Sequence, residues 1–201
     1  MAVVYKNMGQ TITASQAQML KHYNKLYTNS NGEITKDETY LDGVLATLSV
    51  YRYHQSEESI VKELTKLNLA SFGIRTIEAY GSYKIIRENI YRENQFVCRT
   101  NTLENEQGNT ICFEEIDSVT DQPLYEYTSK YLGEYVDEQS VYYCWFHYKE
   151  DGSLNYCEFN YMHDYDSDEF REDRISFIKD TFMLSDAMFE YYLTATFLPP
   201  L

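Results

Sequence analysis

The sequence predicts an α+β fold in which a mainly antiparallel β-meander sheet is combined with N-terminal and C-terminal helices. Three observations favour this class. The central half alternates β-rich runs with polar turns, apolar residues recur at helical spacing towards both ends, and 21 of the 201 residues are Tyr, which suits a half-buried sheet surface. No segment rich in Pro, Gly or Ser marks a boundary, so residues 1–201 are predicted to form a single domain.

Two helices are predicted in the N-terminal part of the chain. The first covers residues 13–26, with Thr13 or Ser15 as its N-cap. The second begins at Ser56, and Glu57 in its first turn suits the positive end of the helix dipole. The apolar face of this second helix consists of Ile60, Val61, Leu64 and Leu67.

Strands are predicted through the middle of the chain. Asp42-Gly43 separates the β-rich runs 34–40 and 44–53, which is a strong signal for a hairpin. Seven further strands follow, separated by short polar turns. They are Ile74–Tyr80, Tyr83–Tyr91, Gln95–Thr102, Thr110–Asp117, Leu124–Tyr131, Val141–Tyr148 and Leu154–Tyr161. The pattern fits an open sheet and a closed one alike.

The hairpin of residues 141–161 carries aromatic residues on both of its predicted faces. Alternation places Tyr142, Cys144, Phe146 and Tyr148 on one face, and Tyr143, Trp145 and His147 on the other. We therefore expect both faces to be covered, one by the core and the other by a helix or a partner.

Helical spacing returns after Asp164. Phe170, Arg174, Phe177 and Ile178 recur at intervals of three and four, which predicts a helix there. A second, shorter helix is predicted to follow, with Ser185 as its N-cap.

Three segments share a Gly-x-[Ile/Leu] motif followed by an aromatic residue about six positions later. They are Gly32-Glu33-Ile34 with Tyr40, Gly43-Val44-Leu45 with Tyr51 and Tyr53, and Gly152-Ser153-Leu154 with Phe159 and Tyr161. The glycine permits the turn and the aliphatic residue enters the core. The pattern resembles the Tyr-x-x-Gly-x-Leu hairpin repeats of MORN-type proteins, which include bacterial antitoxin components. This resemblance covers about a quarter of the chain and transfers no functional residue.

The negative charge is concentrated in one segment. Asn101 to Asp173 contains nineteen Asp and Glu against three Lys and Arg, a local net charge of −16, whereas the whole chain carries −15. Such a surface repels nucleic acid and anionic membranes and attracts cationic proteins. We therefore expect a basic protein as partner, and neither nucleic acid nor a membrane.

The four cysteines have no metal-binding spacing. Cys98 and Cys112 flank one turn and Cys144 and Cys157 flank another, so a disulfide in either pair is conceivable in an exported protein. Four buried thiols are expected in a cytoplasmic one. Neither zinc nor any other cofactor is predicted.

Two acidic groups are candidates for partner contact. Asp164, Asp166 and Asp168 imitate the start of an EF-hand, but Glu169 stands where that loop needs Gly, so an acidic loop before a helix is expected instead. The second group surrounds the hairpin turn near Glu114. The predicted partner-binding residues are Asp164, Asp166, Asp168, Glu169, Glu114, Glu115, Asp117, Tyr143 and Trp145.

These observations favour a binding function over catalysis. No nucleophile elbow, phosphate-binding Gly-rich loop or catalytic His arrangement is present, and no catalytic residue is predicted. The expected function is that of an immunity or antitoxin-like inhibitor that neutralises a basic bacterial toxin, for example a nuclease. An enzyme that uses clustered carboxylates or a metal, and a scaffold protein, are the alternatives. The N-terminus lacks a signal-peptide pattern, so a cytoplasmic location is expected. The oligomeric state is left open.

Overall fold

The computed structural model describes residues 2–7, 10–137, 140–161, 164–170 and 175–201, with backbone only for 134–137, 140–143, 159–161, 164–170 and 176. The described strands form one open sheet in the order β13-β12-β11-β10-β9-β8-β7-β6-β5-β4-β3-β1-β2. Nearly all of the described neighbouring strands pair antiparallel, and helices lie in the N-terminal part and at the C-terminal end. The predicted α+β class is therefore confirmed.

The elements are as follows in chain order. The strands are β1 (Ala2–Asn7), β2 (Gln10–Ile12), β3 (His22–Thr28), β4 (Ile34–Leu41), β5 (Val44–Tyr51), β6 (Ser71–Tyr80), β7 (Tyr83–Arg92), β8 (Gln95–Glu104), β9 (Thr110–Ile116), β10 (Pro123–Asp137), β11 (Ser140–Tyr148), β12 (Leu154–Tyr161) and β13 (Asp164–Phe170). The helices are α1 (Ala14–Met19), α2 (Glu57–Thr65), α3 (Ile175–Thr181) and α4 (Asp186–Leu193).

The residues cluster into two compact units. Unit 1 comprises residues 1–77 and 87–99, and unit 2 comprises residues 78–86 and 100–201. Each unit has its own buried apolar residues. The prediction that residues 1–201 form one domain stays a prediction.

The start of unit 1 differs from the predicted long helix. Thr13 does cap α1, because its Oγ1 accepts a hydrogen bond from the Gln16 backbone N–H at 3.2 Å and Gln16 Oε1 accepts one from the Thr13 N–H at 2.8 Å. The helix nevertheless ends at Met19, and His22–Thr28 is a strand between β1 and β4. The prediction of helix to residue 26 was wrong, because pairing on both sides of β3 outweighs local helical spacing.

The core of unit 1 lies between α2 and the sheet. Ser56 caps α2 as predicted, accepting a hydrogen bond from the Ser59 N–H at 3.3 Å. Ile60 and Leu64 of α2 pack on three buried residues of β5 and β6, namely Leu48, Phe72 and Ile74. Strands β5 and β6 run parallel, with Leu48 opposite Phe72, because the chain between them crosses one face of the sheet as α2. This parallel pair interrupts the predicted meander.

A polar network occupies the other face of the unit 1 sheet. The Arg75 Nε lies 3.0 Å from Glu88 Oε2, and Glu88 Oε1 accepts a hydrogen bond from the Ser49 hydroxyl at 2.6 Å. Gly73 makes room for this network, because a Cβ there would stand 1.9 Å from Glu88 Oε1. The carboxylate of Glu88 therefore requires a glycine at the third residue of β6.

The core of unit 2 lies between α4 and four neighbouring strands. Cys112, Lys130, Phe146 and Cys157 are fully buried and directly opposite one another across β9 to β12. Tyr192 of α4 covers this row, with its ring centroid 4.8 Å from that of Phe146. We call this side of β9–β12 the inner face. Ser185 caps α4, as predicted, by accepting a hydrogen bond from the Met188 N–H at 3.2 Å.

The chain after Asp164 differs from its prediction. Asp164–Phe170 is strand β13, paired with β12, and the helix begins only at Ile175. The predicted helix including Phe170 and the predicted acidic loop were therefore wrong, because β12 offers a pairing partner that local periodicity does not reveal. Arg174 lies outside the described residues.

The state of the four cysteines bears on a further expectation. Cys98, Cys112, Cys144 and Cys157 are all buried and none forms a disulfide, as expected for buried thiols.

No helix among the described residues has the length and apolar character needed to cross a membrane.

Candidate functional site

The candidate site is the side of β9–β12 that faces away from α4. The residues of this face follow from those of the inner row, because successive residues of a strand point to opposite faces. We call it the outer face, and we define it by Phe113, Glu115, Ser129, Tyr131, Trp145, His147, Tyr156 and Glu158. No helix of the described chain is part of this face.

Aromatic rings form the centre of the outer face. Tyr131 and Trp145 meet in a T-shaped contact, with ring centroids 6.0 Å apart and planes at 87°. His147 and Tyr156 are stacked, with centroids 4.5 Å apart and planes at 17°. The exposed fractions are 42% for Trp145 and 36% for Tyr156. Clustered exposed aromatic residues are typical of protein-binding surfaces, where they combine apolar area with low loss of side-chain entropy.

The charge of this face is acidic. Glu158 lies directly opposite Trp145, and its Oε1 is 3.8 Å from His147 Nε2. Glu115 lies on the same face at β9. Lys130 is the sole Lys or Arg in the sequence of β9–β12, and it is buried on the inner face. The outer face therefore presents carboxylates and aromatic rings without a Lys or Arg from these strands.

The expectation that this hairpin is covered on both faces is confirmed for the core face, and coverage of the other face by a partner stays a prediction. Cys144, Phe146 and Tyr148 are buried beneath α4, as the alternation predicts. Trp145, on the opposite face, is exposed. Aromatic residues on an uncovered sheet face are a reason to look for a partner.

Two of the predicted partner-binding residues lie on the outer face, and two lie elsewhere. Trp145 and Glu115 belong to the face. Glu114 was expected on the acidic surface, but it is only 6% exposed and points inwards, where its Oε1 accepts a hydrogen bond from Asn101 Nδ2 at 2.7 Å. Strand alternation explains this correction, because Glu114 shares the parity of the buried Cys112.

Asp117 is part of a turn after β9. Its Oδ1 accepts hydrogen bonds from the N–H of Val119 at 3.0 Å and from the N–H of Thr120 at 2.6 Å. These bonds lower the pKa of the Asp117 carboxyl. This carboxylate shapes the turn, so it is a weaker candidate for partner contact than Glu115 or Glu158.

The remaining predicted residues have described backbones only. Tyr143 lies on β11, opposite Asn160. The four acids Asp164, Asp166, Asp168 and Glu169 lie on β13, where Glu169 is in register with Glu158 and Asp168 with Phe159. Their side chains lie outside the described part of the structure. An extended strand also differs from the looped backbone that an EF-hand requires.

Sequence reasoning missed part of the outer face. Tyr131, Tyr156 and Glu158 become neighbours of Trp145 only through the register of β10, β11 and β12. The alternation of β11 did place His147 beside Trp145 in the prediction. The registers of β10 with β11 and of β11 with β12 would also have identified Tyr131, Tyr156 and Glu158.

The buried Lys130 is the strongest alternative site, because perturbed lysines often mark catalytic centres. Burial lowers the pKa of its amino group to about 7. Its Nζ donates hydrogen bonds to the carbonyl oxygens of Tyr191 and Thr194 and lies over the Tyr191 ring. Tyr191 lies in the last turn of α4 and Thr194 is its C-cap, so Lys130 closes the helix C-terminus. Neither Lys130 nor its neighbour Cys112 is exposed, and this arrangement leaves no access for a substrate.

Within the described residues, no three or more His, Cys, Asp or Glu side chains come close enough together to hold a metal ion.

No protein-family model matches the chain, and no curated protein and no solved structure matches it.

Proposed function

We propose that this chain is an acidic binding protein that neutralises a basic protein partner, with the outer face as the centre of its interface. The observation that carries the proposal is the exposure of Trp145 and Tyr156 on a face whose charged groups, Glu115 and Glu158, are acidic. Buried aromatic anchors surrounded by polar groups supply most of the affinity in protein interfaces. The charge of −16 in residues 101–173 adds long-range attraction for a cation.

The specific form of the proposal is an immunity or antitoxin-like inhibitor of a bacterial toxin, acting in the cytoplasm. A toxin that cleaves nucleic acid needs a basic cleft, and an acidic aromatic surface can occupy such a cleft with rapid association. The same charge disfavours nucleic acid and anionic membranes as partners. The resemblance of three hairpins to MORN-type repeats, which occur in antitoxin components, agrees with this proposal.

The test compares matched pairs of variants. The partner is isolated with the wild-type chain, and its affinity is then measured for Trp145→Ala and Glu158→Gln. Phe96→Ala and Glu106→Gln serve as controls, because Phe96 is 40% exposed in unit 1 and Glu106 is an exposed acid in a turn of the same acidic segment. We expect Trp145→Ala to weaken binding by roughly 30-fold or more, as a central aromatic anchor does, and the controls to change it less than about twofold.

The salt dependence and the biological effect complete the test. Binding to a basic partner weakens as salt screens the attraction, so the association rate should fall steeply with ionic strength. Co-expression of the wild-type chain should relieve the growth inhibition that the partner causes, and Trp145→Ala should relieve it less. Equal losses for Trp145→Ala and Phe96→Ala, or a neutral or acidic partner, would overturn the proposal.

A further inference from the structure

We infer that the outer face selects arginine over lysine, by stacking a guanidinium of the partner on Trp145 while Glu158 accepts its hydrogen bonds. This inference rests on the proposed function and names the chemical group that the interface recognises. It is carried by three features: a carboxylate directly opposite an exposed indole, aromatic rings that contact the indole and lie beside the carboxylate, and the chemistry of the cation that fits this pair.

The first feature is the position of the carboxylate next to the indole. Trp145 and Glu158 are directly opposite each other on β11 and β12. Opposite residues on one face have Cβ atoms about 5 Å apart, so one ligand group can touch both side chains. Both are accessible, with 42% of Trp145 and 38% of the Glu158 side chain exposed.

The second feature is the contact of aromatic rings with the indole and beside the carboxylate. Tyr131 packs against the indole in its T-shaped contact, and Tyr156 stacks on His147 beside Glu158. The 3.8 Å between His147 Nε2 and Glu158 Oε1 exceeds hydrogen-bond distance, so His147 does not hydrogen-bond to this carboxylate. An indole that is already packed before binding loses less entropy when a ligand arrives.

The third feature is the chemistry of the cation that fits. A guanidinium is planar, stacks flat on an aromatic ring and donates two parallel hydrogen bonds to a carboxylate. An ammonium is a compact and strongly hydrated charge, which can satisfy the carboxylate but gains less from stacking. A site that pairs an indole with a carboxylate therefore discriminates between the two, whereas acidic charge alone attracts both equally.

The test uses an oligo-arginine and an oligo-lysine peptide of equal length, titrated into the full chain by calorimetry at low ionic strength. We expect the arginine peptide to bind roughly five- to tenfold more tightly, from stacking at a partly exposed site. Trp145→Ala and Glu158→Gln should each bring the arginine peptide close to the affinity of the lysine peptide. Phe96→Ala and Glu106→Gln should keep the preference.

The outcomes separate this inference from the proposal on which it rests. Equal, salt-sensitive binding of both peptides to the wild-type chain would overturn arginine selection and leave the acidic interface in place. A preference that persists in both Trp145→Ala and Glu158→Gln would overturn the assignment to this pair. Failure of both peptides to bind would overturn the proposed function, and the inference with it. The circular dichroism spectrum of each variant checks that it folds, and Glu158→Gln provides the test should Trp145→Ala misfold.

Discussion

Lys130 shows how a single residue can link the sheet to the C-terminal helix. Its ammonium closes the end of α4 through the carbonyls of Tyr191 and Thr194, in a place that is sealed from solvent. The alternative to this contact is a set of unsatisfied carbonyls at a buried helix end, which is costly. The opposing cost is the desolvation of the cation, which lowers its pKa from 10.5 to about 7.

This lowered pKa predicts a pH dependence of stability. Between about pH 7 and about pH 8.5 the unfolded chain keeps the proton of Lys130 and the folded chain loses it, so the free energy of unfolding rises with pH. One group contributes at most about 1.4 kcal/mol per pH unit. We expect urea denaturation to show this rise in the wild-type chain and to show a smaller rise in Lys130→Met. Equal slopes in the two proteins would contradict the assignment to Lys130.

Gly73 illustrates a residue whose identity depends on a neighbour. Gly73→Ala drives a Cβ against Glu88 Oε1 and disturbs the hydrogen bond from Ser49 and the ion pair with Arg75. We expect a loss of about 1–3 kcal/mol in the free energy of unfolding. The same substitution in a Glu88→Ala background should cost clearly less. A double-mutant cycle measured by urea denaturation gives the coupling, and additive effects would show that Glu88 is not the cause.

At the scale of elements, local sequence signals specify the caps and the tight turn, whereas pairing with neighbouring strands specifies some of the strands. Ser56, Ser185 and Asp42-Gly43 were predicted correctly, because a cap or a tight turn is encoded within a few residues. Strand β3 was predicted as helix and β13 as an acidic loop leading into a helix, because their conformation depends on pairing with β1, β4 or β12. The candidate site follows the same rule. The alternation of β11 alone predicted the side of the strand on which Trp145 lies, whereas the position of Glu158 beside it depends on the register of β12 with β11.

The capping of α2 predicts a measurable contribution to unit 1. Ser56→Ala removes the oxygen that accepts a hydrogen bond from the Ser59 N–H, so we expect a loss of about 1 kcal/mol in the free energy of unfolding. Ser30→Ala is a control, because Ser30 is an exposed residue of a turn. A loss for Ser56→Ala no larger than that for the control in thermal or urea denaturation would contradict the capping role.

At the scale of the whole molecule, the concentration of negative charge in one segment lowers the stability of the free protein. The same charge favours binding of a basic partner. Residues 101–173 carry −16, and like charges held in a compact fold repel one another. Salt or a cationic partner relieves this repulsion. A surface that is electrostatically strained in isolation gains stability on association with a basic protein.

This repulsion predicts that salt stabilises the free protein. We expect Tm to rise between about 10 mM and about 300 mM NaCl, as the Debye length falls below the spacing of surface charges. Neutralising four acids of the acidic segment should reduce that rise: Asp164, Asp166, Asp168 and Glu169. Neutralising four acids outside it should reduce the rise much less: Glu33, Asp42, Glu58 and Glu93. A Tm that is independent of salt, measured by calorimetry, would contradict the prediction.

The position of Trp145 has a practical consequence. It is the only tryptophan in the chain, and it lies partly exposed at the centre of the outer face. Intrinsic fluorescence excited at the indole band therefore reports on this face without any label. Docking of a partner that lacks tryptophan should shift the emission towards shorter wavelength, because it removes water from the ring. Titration followed in this way would measure occupancy of the face itself, separately from binding elsewhere on the molecule.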